Sequence, residues 1–166
     1  IYGATYLVLA PEHPLLNSIV QPENIENVKS YIESAKVKTE IERMSADRTK
    51  TGVFTGVYAV NPINKAEIPI WVADYVISSY GTGAIMAVPS GDERDFEFAK
   101  AFNLPIVEVV SIDGKLHGND ECFSNYGISV NSGEYSGKST ENVQQLINAK
   151  LDDLGCGGAK IKYKLI

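Results

Sequence analysis

Tyr80-Gly81-Thr82-Gly83-Ala84-Ile85-Met86-Ala87-Val88-Pro89, running on through Ser90-Gly91-Asp92-Glu93-Arg94-Asp95 to Phe96-Glu97-Phe98-Ala99-Lys100-Ala101-Phe102, is the stretch on which the fold turns. It reads as a tight connection, a short apolar strand stopped by Pro89, and a helix over 90–102. In the strand, alternation puts Met86 and Val88 on one face and Ile85 and Ala87 on the other. One face is expected in the core; the other either joins a second core layer or lines a pocket. Gly81 and Gly83 flank Thr82, which suits a plain turn or a ligand laid against bare backbone. Ser90 and Glu93 match a capping box, and Asp92 falls in the first turn, where negative charge favours the helix dipole. Asp95 lies beyond what capping explains. At helical spacing it shares a side with Phe98, Ala99 and Phe102, and a carboxylate there is costly unless a cation or hydrogen-bond donor meets it. Either a structural ion pair with a distant Lys or Arg, or an acceptor for a substrate ammonium, satisfies that demand.

Outward from this stretch, helices and strands mix. Residues 4–10 read as a buried strand. Asn24 to Lys36 reads as a helix with Ile25, Val28, Ile32 and Ala35 in one stripe, continuing into helix and then loop up to Lys50. Residues 51–60 and 68–77 read as strands around a turn at 61–65, and 106–112 as another. Residues 115–135 look irregular. Residues 139–154 give the clearest helix, with Ser139 as N-cap, Gly155 past its end, and a stripe of Val143, Leu146, Ile147, Leu151 and Leu154. Residues 159–166 alternate like a closing strand. The expected class is mixed α/β, with a curved or barrel-like sheet surrounded by helices.

The 166 residues are 44% hydrophobic and 22% charged, the balance of a soluble globular domain with its own core. No apolar run approaches the roughly 20 residues of a membrane span. The chain starts without Met and in mid-pattern, as expected of a single domain cut from a longer protein. A formal charge of −6 argues against a large nucleic-acid footprint but leaves room for a local patch. Cys122 and Cys156 form no CxxC pair, as expected of free thiols in a reducing compartment. His13 and His117 sit in loop-like contexts with no partner at metal-ligand or triad spacing.

The string from Tyr80 to Pro89, followed by Asp92-x-Arg94-Asp95 and Phe96-Glu97-Phe98-Ala99, resembles the signature of the leucyl-tRNA synthetase editing insertion. Gly3 to Leu7, Glu12 to Leu15, Ala59 to Pro62, Ile68 to Val76, Asn131 to Tyr135 and Lys162 to Leu165 extend the resemblance over nearly the whole chain. It implies hydrolysis of the ester that joins a noncognate amino acid, such as isoleucine, norvaline or methionine, to tRNA(Leu). It implies that Asp95 anchors the substrate α-ammonium, with Asp92 a second acidic position near the site. Met86 and Val88 would line the amino-acid pocket, and Tyr80, Gly81 and Thr82 would pack on the terminal adenosine. The implied partners are the aminoacylated 3′ end of tRNA(Leu) and the rest of a cytoplasmic synthetase. No cofactor or metal is implied for the editing domain; ATP and Mg would bind elsewhere in the full enzyme.

Such an ester is already activated, so a positioned water and oxyanion donors suffice. A second sieve is needed because one methylene discriminates by only about 1–3 kcal/mol. Two departures stand out. Gly91 occupies the place where many family members carry histidine, and the family's threonine-rich stretch, which helps exclude leucine and place the water, falls upstream of Ile1. The fragment is therefore expected to be impaired by itself. Alternative readings are an isoleucyl- or valyl-type editing domain, a non-catalytic RNA-binding module of the same fold, and an unrelated esterase.

Overall fold

The order of elements follows from a short list of breaks. Pro11 and Pro14 end β1 (Tyr6–Leu9). A one-turn α1 (Leu16–Ile19) and a 3₁₀ turn at Pro22–Asn24 lead into α2 (Ile25–Lys36). The charged stretch after it makes a separate α3 (Glu40–Met44), started by Thr39 and Glu42 in a reciprocal capping box. Then come β2 (Gly52–Val60), β3 (Glu67–Ala73), β4 (Ala84–Ala87) and α4 (Glu93–Ala101). The chain closes with the two-residue strands β5 (Val110–Ser111) and β6 (Ile128–Ser129), then α5 (Thr140–Asp153). This computed structural model describes residues 1–45, 49–79 and 81–160.

The main sheet has the order β2-β3-β1-β4. β1 runs parallel to β3 and antiparallel to β4, with Leu7 opposite both Ile70 and Met86. β2 pairs antiparallel with β3, and a bulge between Phe54 and Tyr58 bends it at Gly56, whose φ of 86° suits glycine. Pleating sorts the side chains onto two faces. Tyr6, Val8, Ala73 and Ala87 meet Phe98 and Ala99 of α4 in one core. Leu9 and Val72 meet Leu16 and Val28 in the other. The class is mixed α/β as expected; among the described residues β2 and β4 are the sheet's outer strands, with no closure between them.

Several local expectations change. Ile25, Leu146 and Leu154 belong to apolar stripes yet are exposed. The strand expected over 106–112 shrinks to Val110–Ser111, and Ile112 is solvent-facing. Residues 74–77 form a turn rather than the end of β3. The closing strand over 159–166 lies largely outside the described residues.

Candidate functional site

The β4–α4 unit brings the predicted carboxylates to the edge of the sheet. Ser90 does not cap the helix. The turn after Pro89 is closed by the Gly91 and Asp92 N–H groups, which donate to Val88 O at 2.9 and 3.2 Å. The helix therefore starts later, and Asp92 is its N-cap, accepting from the Arg94 and Asp95 N–H groups at 2.9 and 3.2 Å. Arg94 also pairs with the Asp92 side chain at 3.2 Å. Partial burial pushes the Asp92 carboxyl up, but its hydrogen bonds and the charge of Arg94 outweigh this and hold it below the usual range.

One turn further, Asp95 points inward and is 5% exposed. Among the described residues no distant cation pairs with it. Its Oδ1 accepts from the Tyr75 hydroxyl at 2.8 Å and its Oδ2 from the Val88 N–H at 3.0 Å. An ionised carboxylate has about four acceptor positions, so these two bonds fix its orientation and leave capacity for a further donor. Burial raises its pKa to about 6, the Tyr75 hydrogen bond opposes that rise, and the Asp92 charge adds to it. Asp95 is thus mainly ionised at neutral pH.

Met86 and Val88 project from the opposite face to Ala87, as alternation requires. Met86 is 43% exposed. Together they line a mainly apolar cleft of about 310 Å³, closed by Tyr2, Val109 and the α5 residues Val143, Ile147 and Leu151. Gly81 and Thr82 lie in the turn before the other end of β4, and both are exposed. Gly83, at φ 71°, turns the chain into β4 while its carbonyl accepts from Ala10 N–H at 2.8 Å. Tyr80 lies outside the described residues. The Val88 amide thus ties Asp95 to the end of β4, but the carboxylate lies on the Ala87 side with α4 and does not line the Met86–Val88 cleft; Gly81 and Thr82 stand beyond the other end of the strand.

The sequence model of the family described as "Leucyl-tRNA synthetase, editing domain" matches residues 1–152. The chain belongs to that family. Leucine–tRNA ligases of Rhodopirellula baltica and Clostridium perfringens are each 50% identical to it, over 99% and 98% of its length respectively. It spans only 18% and 20% of those relatives. The solved ternary complex of Agrobacterium radiobacter K84 agnB2 LeuRS with tRNA and LeuAMS has a similar fold, at TM-score 0.69 and 32% identity. The likeness covers 98% of this chain and 17% of that one.

For an editing domain, the groups that could act as nucleophiles are poorly placed. Ser90 Oγ and Ser111 Oγ are buried and have no hydrogen-bond partner among the described residues, so no described base activates them. The Cys122 thiol is pushed up by burial and by the charges of Asp92, Glu93 and Asp95. His117 does have an acidic partner that spacing did not reveal, Asp113 at 2.7 Å, but the pair is exposed. His13 Nδ1 accepts from Leu15 N–H. What sequence reasoning missed is Tyr75, in the turn after β3. Its only signal was the Ala73-Asp74-Tyr75-Val76 string, read as strand.

Two predictions arise here. At Gly91 an added Cβ would have Val88 O as its nearest neighbour at 3.9 Å, and φ is outside the left-handed region. Gly91→His should therefore change unfolding free energy by no more than about 0.5 kcal/mol, measured by thermal melting; a drop of several degrees would show a hidden clash. The second concerns pH. Because the folded Asp95 pKa of about 6 exceeds its reference of 3.8, this carboxyl favours folding at low pH, and that contribution is lost as pH rises through 6. Wild type should lose roughly 2 kcal/mol relative to Asp95→Asn between pH 4.5 and 7.5. Denaturant unfolding of both proteins at the two pH values checks this, and the difference cancels the opposite pull of Asp92. A gap that does not change with pH would contradict the raised value.

Proposed function

We propose that the domain hydrolyses the ester of noncognate aminoacyl-tRNA(Leu), with isoleucyl-, norvalyl- and methionyl-tRNA as substrates. The observation that carries this reading is the Asp95 carboxylate, fixed by the Tyr75 hydroxyl and by the backbone N–H of Val88, whose own side chain lines an apolar cleft. Asp95 receives the α-ammonium, and the side chain enters the space lined by Met86 and Val88. The terminal adenosine lies toward Tyr80, Gly81 and Thr82, and Asp92 sets the field at the helix start that carries Asp95. Water attacks the activated carbonyl without a covalent enzyme intermediate. The editing site uses no cofactor; ATP and Mg serve the synthetic site of the complete enzyme. That enzyme works in the cytoplasm, and its remaining domains and tRNA(Leu) are the partners of this chain.

The test is deacylation of isoleucyl-tRNA(Leu) by the complete synthetase. Hydrolysis well above the uncatalysed rate is expected, with leucyl-tRNA(Leu) spared. Binding of tRNA without hydrolysis would favour the non-catalytic RNA-binding module instead.

A further inference from the structure

We infer that Tyr75 is a positioning residue for the proposed hydrolysis, its hydroxyl holding the Asp95 carboxylate in the orientation and charge state that receive the substrate ammonium. The inference rests on the hydrolytic reading above and adds a residue to it.

The geometry ties the Tyr75 hydroxyl to Asp95. Its side chain is 6% exposed, and its hydroxyl donates to Asp95 Oδ1 at 2.8 Å. The phenol is pushed far above its ordinary value by burial and by the nearby Asp95 charge, so it keeps its proton and remains the donor. The turn that presents it is fastened from outside. Arg43, itself 6% exposed, donates to Asp74 O at 2.8 Å and to Val76 O at 2.9 Å, and pairs with Glu12. The Asp74 N–H donates to the Tyr31 hydroxyl at 3.0 Å. The carbonyls on either side of Tyr75 are thus clamped by one guanidinium, and the Tyr75 ring packs on Phe98 with centroids 5.4 Å apart. Tyr6 performs a parallel task on the backbone, donating to Asp95 O at 2.8 Å.

Among the described residues, other charged or titratable groups near Asp95 are few. Asp92 and Arg94 lie on its own helix and pair with each other. From the remaining elements come the Tyr6 hydroxyl, the Cys122 thiol, and Lys50, which is 5.9 Å from the Tyr75 ring and paired with Glu97. Of these, only Tyr75 bonds a carboxylate oxygen of Asp95. Burial pushes this carboxyl up to about 6 and the Tyr75 bond pulls it down. Removing the bond should leave Asp95 protonated to a higher pH, when it can no longer pair with an ammonium.

The experiment is Tyr75→Phe in the complete synthetase, with deacylation of isoleucyl-tRNA(Leu) followed from pH 5 to 8.5 and uncatalysed hydrolysis subtracted. Loss of one hydrogen bond to a charged acceptor should move the acid limb up by roughly one pH unit. Hydrolysis then falls about fivefold at pH 6 and returns close to wild type at pH 8. Titration of the substrate amine is common to both proteins and cancels. An unmoved acid limb, or an equal loss at every pH, would overturn the positioning role. Should Tyr75→Phe fail to fold, 3-fluorotyrosine installed at position 75 keeps the ring and strengthens the donor; the limb should then move down, and an unmoved limb overturns the role. A wild-type enzyme that hydrolyses no mischarged tRNA defeats the hydrolytic reading instead. NMR titration of the Asp95 carboxyl in both proteins then still reads the Tyr75 effect directly.

Discussion

Asp95→Ala in the complete synthetase should lower hydrolysis of isoleucyl-tRNA(Leu) by at least about 100-fold while leaving leucine activation within about twofold. The size follows from the role proposed for the side chain: loss of one preorganised charge partner at a reacting centre typically costs 10²–10³ in rate, and misplacing the ester relative to its water adds to this. Leucine activation is expected to be spared because the proposed synthetic site lies outside this chain. The substitution also leaves the Tyr75 hydroxyl and the Val88 N–H without their acceptor. Each orphaned donor costs about 1–3 kcal/mol, so a melting curve belongs beside the kinetics. A folded variant with unchanged hydrolysis removes Asp95 from the ammonium-anchor role.

Phe98→Ala should have the largest effect on stability. Phe98 is fully buried where α4 meets the sheet. Its ring lies 5.3 Å from Tyr6, 5.6 Å from Trp71, 5.4 Å from Tyr75 and 4.5 Å from Phe102, centroid to centroid. Truncation removes the apolar contact of α4 with both β1 and the turn that bears Tyr75. Comparable substitutions cost about 3–5 kcal/mol, which lowers the melting temperature of a chain this size by on the order of 10 °C. A fall of less than about 3 °C would mean that α4 is held by something other than this ring cluster.

The two results are linked, because Phe98 sits on the same side of α4 as Asp95, one turn further on. That relation was legible in sequence: the spacing of Asp95, Phe98, Ala99 and Phe102 placed the carboxylate on the apolar side of a helix. The alternation of β4 was legible too, with Ala87 buried and Met86 43% exposed. The caps of α5 also follow the residue pattern. Ser139 accepts from Asn142 N–H, and Gly155 adopts φ 64°.

What sequence did not reveal depends on contacts distant along the chain. Tyr75 reaches Asp95 across 20 positions, and no periodicity marks such a pair. The S-x-x-E pattern at Ser90 competed with Asp92, and the Val88 carbonyl, by accepting two N–H groups, settled where the helix begins. A helical stripe gives a direction without saying how far its partner extends, so Leu146 and Leu154 stay exposed while Val143 is buried. Family resemblance pointed to Asp95 and Met86 but not to the phenol that holds the carboxylate.

The central claim is that Asp95 takes the substrate ammonium beside the Met86–Val88 cleft. The most direct measurement is a crystal structure of the complete synthetase bound to a non-hydrolysable aminoacyl-adenosine mimic. The account predicts the α-ammonium within hydrogen-bond distance of the Asp95 carboxylate, about 2.7–3.2 Å, with the amino-acid side chain against Met86 and Val88. An ammonium bound elsewhere, with Asp95 still bonded only to Tyr75 and Val88, would contradict it.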